Sequence, residues 1–389
     1  MLGICLLSLF ILDFISKCSF YYAPQCQDVS SIIKFVFQII IIFLIVIKKD
    51  VLTTKILSYF FFFFFFFLLG HFFLKSNNTF MTRILGNIRV LNWYLFIFII
   101  SAGTKFYLQD STNCKQHKKQ LFDAFELIFY INSIFIIIGF AFNLFIFLAY
   151  PTSNRFGYIG LLRNVTHASY IYMIFITFFY YKYTAKKSRY NLILLYSSVL
   201  ICFLIATKAL ILFITLFAFY IIFSKKLWRM LLVFSFGIIT LFYHFDFIIQ
   251  NILKPHFKVL YDVYMDKGLF TMLFSFRNES IELLFIPYVK EHWNIGNVLF
   301  GGAEFNRFRT ELEVIDFLWF FGVLGTILYF IFWNRYVFSF KNIIKHKPYL
   351  IIFLISIVAG SFFSSIPVIS FLVVLNLYLS NEDCAIELK

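Results

Sequence analysis

Four cations and a few acids are the residues of this chain that could do chemistry. Arg155 and Arg163 lie in "NRFGYIGLLRNVTHASY", together with His167. Lys208 sits in "ATKAL", with apolar runs on both sides, so it does more than set topology. Arg277 opens "RNESIELLFIPYVKEHW", which ends near His292. Arginine grips phosphate oxygens as a planar fork, and lysine acts as a point charge. Fixed cations of this kind suit a pyrophosphate, because they stabilise its charge as it leaves without needing a metal. The complementary need is a group that takes a proton from an attacking hydroxyl. A carboxylate or a histidine could do this. In "NRFRTELEVIDFLWF", Glu313 and Asp316 are three residues apart and share a helix face. Asp316 falls about one turn inside an apolar run, where an ionised side chain is costly unless it meets a cavity or a partner. Arg309 is four before Glu313 and Arg307 four before Glu311, which predicts two local salt bridges. His167 reads as a satisfied helix-end histidine, and the plain alternative for Lys208 is snorkelling to the interface.

The elements that must position these residues are membrane helices. The 389 residues are 62% hydrophobic and 14% charged, far from the soluble norm of about half apolar and a quarter charged. A span takes roughly 20 apolar residues. Candidate spans fall at 2–20, 31–47, 54–74, 86–104, 121–150, 166–181, 190–206, 209–223, 230–250, 311–333, 349–363 and 366–380. The fold class is therefore an all-α polytopic integral membrane protein with about 11–12 transmembrane helices, a single membrane domain over 1–389. The first apolar segment lacks a basic start and a small-residue cleavage site, so it reads as a retained helix. Basic residues gather in alternate connections, among them Lys48, Lys49, Lys118, Lys119, Lys186 and Lys187. The opposite short loops hold only Lys75, Arg83, Arg155 and Arg163. By the positive-inside rule the N-terminus is cytoplasmic, and all four candidate cations face outward. Residues 251–310 form one large extracytoplasmic loop of about 60 residues, rich in charge, and long loops on compact proteins usually carry function. Within it, Ile281, Leu284, Phe285 and Tyr288 predict an amphipathic helix, and Gly301 and Gly302 a tight turn.

Other classes are disfavoured. The net charge of +15 suggests nucleic acid in a soluble protein, but here it is topogenic. The six cysteines show no paired spacing, so neither zinc nor a disulfide framework is expected. No metal and no cofactor is called for. No internal repeat points to an inverted-repeat transporter. Asn78, Asn164 and Asn278 head sequons that an Asn-rich chain produces by chance. The run Phe60 to Phe67 reads as a lipid-facing or packed helix segment. If the outer segments converge, Arg155, Arg163, Lys208 and Arg277 meet several carboxylates there. That combination fits glycosyl transfer from a lipid-linked sugar pyrophosphate.

The order of these features resembles the Wzy/WaaL-like superfamily, the O-antigen and capsule polysaccharide polymerases and the O-antigen ligases. "NRFGYIGLLRNVTHASY" resembles that family's Arg-x-x-Gly…Asn segment before a helix, and "ATKAL" its small, basic, small turn. "SFRNESI" resembles its start of the loop helix, "VLFGGAEF" its glycine turn, and "ELEVIDFLWFFGVLGTILYF" its loop exit. The late "AGSFFSSIP" is similar to its polar break in the last spans. The likeness covers roughly 120–380. The turn is Phe-Gly-Gly rather than Gly-x-Gly, and the ligases' His-Asn at the loop exit is absent. The absence of His-Asn favours a polymerase of undecaprenyl-pyrophosphate-linked repeat units over a ligase acting on lipid A core. A flippase of lipid-linked oligosaccharide is the rival from another class. The resemblance implies that Arg155, Lys208 and Arg277 contact the lipid pyrophosphate, and that Glu313, Asp316 or His292 activates the acceptor hydroxyl. It also implies a bacterial cytoplasmic membrane, membrane lipids as surroundings, and flippase and chain-length regulator proteins as partners.

Overall fold

A computed structural model describes residues 2–26, 29–47, 51–76, 78–109, 114–151, 155–226, 258–304 and 309–381, with isolated positions between 240 and 254. The first half is built of α1 (Leu2–Tyr22), α2 (Val29–Ile47), α3 (Val51–Phe73), α4 (Phe80–Gln109) and α5 (Cys114–Phe142). Next come α6 (Val165–Ala185), α7 (Arg189–Ile205) and α8 (Lys208–Ser224). Among the described residues there is no strand, only an isolated antiparallel bridge between Leu148 and Tyr158. Four helices are long and apolar enough to cross a membrane: Leu2–Tyr22, Phe80–Leu108, Cys114–Phe142 and Glu313–Val337. Six more apolar helices are shorter, at 10–17 residues. By length and composition the chain is a membrane protein. Most expected spans match these helices to within a few residues, but α4 runs five or six residues past 86–104 at each end, and two others differ more. The 121–150 segment leaves helix at Phe142, and most of 230–250 lies outside the described residues.

Burial follows side-chain position rather than hydrophobicity alone. The phenylalanine run shows this. Phe63 and Phe67 are buried, while Phe61, Phe62 and Phe65 are more than half exposed. Phe63 meets Phe98, Phe321, Tyr329 and Phe332, so one stripe of α3 packs on α4 and the late helices. The remaining phenylalanines cover a face suited to lipid. α6 is different: every residue from Ala168 to Tyr181 is buried. A helix apolar on all sides belongs inside, and α6 is the pillar around which α7, α8 and the last helices pack.

The described part of the 251–310 region folds as short helices: α9 (Lys258–Phe274), α10 (Arg277–Ser280), α11 (Ile286–His292) and α12 (Ile295–Phe300). The predicted amphipathic helix is interrupted by a π turn, Ile281–Phe285, where Ile286 donates to the Ile281 carbonyl. Pro287 follows with no N–H of its own to keep an α ladder going. The chain then passes between α3 and α13 (Glu313–Phe332) through the predicted glycine turn. Gly301 and Gly302 have φ of +77° and +116°. Gly302 N–H donates to the Trp319 carbonyl at 3.1 Å, and Asn297 Nδ2 donates to the carbonyls of Gly70 and Gly301. A Cβ on Gly302 meets the Gly70 carbonyl oxygen at 2.4 Å, and one on Gly301 meets that of Phe320 at the same distance. The crossing therefore admits no side chain. After α13 come α14 (Phe340–Lys345), α15 (Lys347–Ala359) and α16 (Ile366–Asn381).

Gly302→Ala is expected to lower stability by about 2 kcal/mol or more, through left-handed backbone and backbone collision together. Thermal unfolding of the detergent-purified protein checks this. An Ile295→Ala control, at an exposed position of the preceding helix, should shift it far less.

Candidate functional site

Three of the four cations come from segments laced together by backbone. The strand-like stretch after α5 is held by Ala149 N–H to the Gly157 carbonyl at 2.8 Å. Tyr158 N–H donates to the Leu204 carbonyl at 2.9 Å, which ties the Arg155 loop to the end of α7. α7 closes on Ala206 in the left-handed region, and Thr207 caps α8 by accepting from Leu210 N–H. Lys208 is thus the first residue of α8, directly beside that loop. Its ammonium donates to Ser275 Oγ at 3.0 Å and to the Met272 carbonyl. Ser275 and Phe276 both have positive φ, a sharp corner that delivers Arg277 to the same place. Tyr150 reports the convergence. The Arg155 guanidinium lies 5.5 Å over its ring. Burial pushes the Tyr150 hydroxyl up, and Arg155 and Arg277 partly offset this. Both arginines also act on the charge of Lys208.

The carboxylate in this group is Glu311. Its Oε2 is 3.4 Å from Arg277, and its side chain is 65% exposed. The sequence spacing paired Glu311 with Arg307, which lies outside the described residues. It also paired Arg309 with Glu313, and here the structure differs. Residues 309–312 are not helical: Glu311 has φ of +56°, Leu312 is extended, and α13 begins only at Glu313. The four-residue helical spacing therefore does not apply. Arg309 turns instead to Asp316, with Nε 3.6 Å from Oδ2, and donates to Ser364 Oγ at 2.9 Å. Burial lowers the Arg309 guanidinium, but the acidic groups around it, Asp316 and Glu313 among them, outweigh this.

Glu313 and Asp316 are buried. Glu313 accepts the N–H groups of Phe362 at 3.2 Å and Phe363 at 3.0 Å. Asp316 accepts from the N–H and hydroxyl of Thr310 at 2.9 and 2.8 Å. Both carboxylates are engaged in tying segments together. His292 is elsewhere: its ring lies on Tyr288, and its carbonyl accepts from Lys75 N–H. The structure does not bring it to the three cations.

Arg163 turns away from Arg155 as well. Its N–H donates to Asp13 Oδ2 at 3.0 Å, and its guanidinium donates to Ser16 Oγ at 2.6 Å. Asp13 is also 3.7 Å from Lys34. These residues line a cavity of about 770 Å³ with Arg89, His167 and Arg309. Asp13 and Lys34 are charges inside the early helices α1 and α2, and Arg89 lies in α4. Among the described residues no group of three or more His, Cys, Asp or Glu is placed to hold a metal. Compared with known protein families, curated proteins and solved structures, the chain matches none.

Glu313→Ala should cost about 2–5 kcal/mol, because it strands two buried N–H groups. Glu313→Gln, which keeps an acceptor, should cost clearly less. Unfolding midpoints of the two variants in one detergent decide between this tie and a carboxylate held for chemistry alone.

Proposed function

We propose that the chain is a polysaccharide polymerase, joining oligosaccharide repeat units carried on undecaprenyl pyrophosphate at the outer face of the bacterial cytoplasmic membrane. The observation that carries the reading is the meeting of Arg155, Lys208 and Arg277 beside the exposed carboxylate of Glu311. Three segments far apart in the chain supply three cations to one mouth, a costly arrangement among apolar helices. Its charge suits a pyrophosphate, and its position at helix ends suits a substrate whose lipid stays in the bilayer.

In the reaction, the acceptor hydroxyl oxygen attacks the anomeric carbon of the donor sugar. The new glycosidic bond forms as the bond to the pyrophosphate oxygen breaks. The electron pair leaves with the pyrophosphate, whose growing charge Arg155, Lys208 and Arg277 take up. The hydroxyl proton passes to the Glu311 carboxylate, the one acid of the group that is open to solvent. Glu313 and Asp316, which the resemblance offers as bases together with His292, are assigned to positioning the loop exit.

Arg277→Ala should remove high-molecular-weight polysaccharide at normal protein level, with single repeat units accumulating on the outer face. Removal of one such charge-stabilising donor costs roughly 10²–10³ in rate. Glu311→Gln should lower polymerisation by about 10²-fold or more with substrate binding retained. An unchanged ladder in Arg277→Ala would sink the assignment. Repeat units held at the inner face would instead identify a flippase, and loss of glycan on lipid A core with polymer intact would identify a ligase.

A further inference from the structure

The cavity beside Arg163 measures about 770 Å³, the size of a small-molecule site. Its lining separates by element. Among the described residues that line it, α1 gives only polar groups, Asp13 and Ser16, and α3 only phenylalanines, Phe60 and Phe64. The stretch leading into α6 gives Arg163, Asn164 and His167. The break between α15 and α16 gives Ser361, Ser364 and Ser365. Non-helical backbone at membrane depth is tolerated where it is buried in protein or lines a wet space, and the break lines this one.

One pairing recurs around the polar wall. The guanidinium of Arg163 donates to Ser16 Oγ at 2.6 Å, that of Arg89 to Ser31 Oγ at 3.0 Å, and that of Arg309 to Ser364 Oγ at 2.9 Å. Each serine oxygen is an acceptor to its arginine, so its own O–H must donate elsewhere. All three serines line the cavity, and Asn92 adds an amide that both donates and accepts. On the accepting side stand the Asp13 carboxylate and His167, whose buried Nδ1 has no hydrogen-bond partner among the described residues. A mixed set of this kind suits a ligand whose every polar group both donates and accepts. Hydroxyl groups do so, whereas an anion only accepts and an ammonium only donates. The apolar side fits the same ligand. A sugar ring carries hydroxyls on its rim and C–H groups on its faces. Phe60, Phe64 and Trp93 offer flat apolar surface for those faces. Arg89 lies 5.5 Å over the Trp93 ring and holds it next to the polar wall.

We infer that this cavity binds carbohydrate, and that its occupant is the acceptor repeat unit. The first part stands on the lining alone; the second rests on the polymerase reading. The donor sugar is bonded to its pyrophosphate, so it stands at Arg155, Lys208 and Arg277, none of which lines the cavity. Arg309 does line it, and Glu311 follows two residues later, at most about 7 Å along the backbone. The acceptor therefore fills the cavity with its reacting hydroxyl at the Glu311 edge. Ser31, Asn92 and Trp93 all precede residue 120, so the resemblance over 120–380 offers no role for them.

The test puts p-benzoylphenylalanine in place of Ile88, a lining residue outside the polar set, in the full chain. The host's own lipid-linked repeat units are the probe. After irradiation of intact cells, mass spectrometry should find repeat-unit sugars joined to the chain. The same photoreactive residue at Leu200, an exposed apolar position of α7, should capture phospholipid and no glycan. Free repeat-unit oligosaccharide, released from its carrier by mild acid, should bind the detergent-purified chain. Ser31→Ala with Asn92→Ala should weaken that binding about tenfold. Three outcomes overturn the inference: phospholipid alone captured at position 88, no adduct there while position 200 crosslinks, or binding unchanged in the double variant. The crosslink decides the matter if the double variant fails to fold. Glycan captured at position 88 by a chain that makes no polymer sinks the polymerase reading and keeps the sugar cavity. Polymer made with no glycan captured there does the reverse.

Discussion

The structure hangs on a buried carboxylate that answers backbone, not a cation. Glu313 accepts the N–H groups of Phe362 and Phe363 at the polar break between α15 and α16. That break is a necessity of the sequence. Gly360 and Ser361 both have positive φ, so the helix cannot continue through them and their neighbours lose ladder partners. In a membrane interior an unpaired N–H costs several kcal/mol. Glu313 supplies both acceptors from the first residue of α13. A Cβ at Gly360 comes within 2.3 Å of the Glu311 carbonyl oxygen, so the break and the loop exit are in backbone contact.

From that tie the arrangement of the loop exit follows. With α13 pinned at Glu313, Asp316 gathers Thr310 and Arg309, and Arg309 reaches Ser364 across the break. Glu311, two residues before Glu313, turns instead to Arg277. One short segment therefore faces two ways. Arg309 completes the wall of the large cavity, and Glu311 completes the group around Lys208. The glycine crossing at Gly301 and Gly302 fixes the other end of the return by threading it between α3 and α13. The chemistry-bearing residues are thus held by backbone at every step, which suits a site that must keep cations close without their repulsion spreading the helices.

Much of this was legible in the sequence. Helix positions follow from apolar runs, and the glycine turn from Phe-Gly-Gly. Arg155, Lys208 and Arg277 stand out because each is a cation that topology does not require. What failed was local pairing. The four-residue rule paired Arg309 with Glu313 because it assumed a helix through 309–313, and a left-handed residue at Glu311 breaks it. Arg163 looked equivalent to Arg155, but the turn between them sends it to α1, a partner 150 residues away in sequence. His292 looked like a base because of its type, yet the crossing at Gly302 carries its helix to the α3 side. The cavity lined by Asp13, Lys34 and Arg89 had no linear signature. Asp13, Lys34 and Arg89 lie in three separate helices, and only packing makes them neighbours.

The measurement that tests the central claim most directly is reconstitution of the purified chain with lipid-linked repeat units. The account predicts chain growth with one undecaprenyl pyrophosphate released for each new glycosidic bond, and no added metal required. Growth should stop when Arg277 is replaced by alanine. Movement of intact units across the bilayer without any pyrophosphate-lipid release would contradict it.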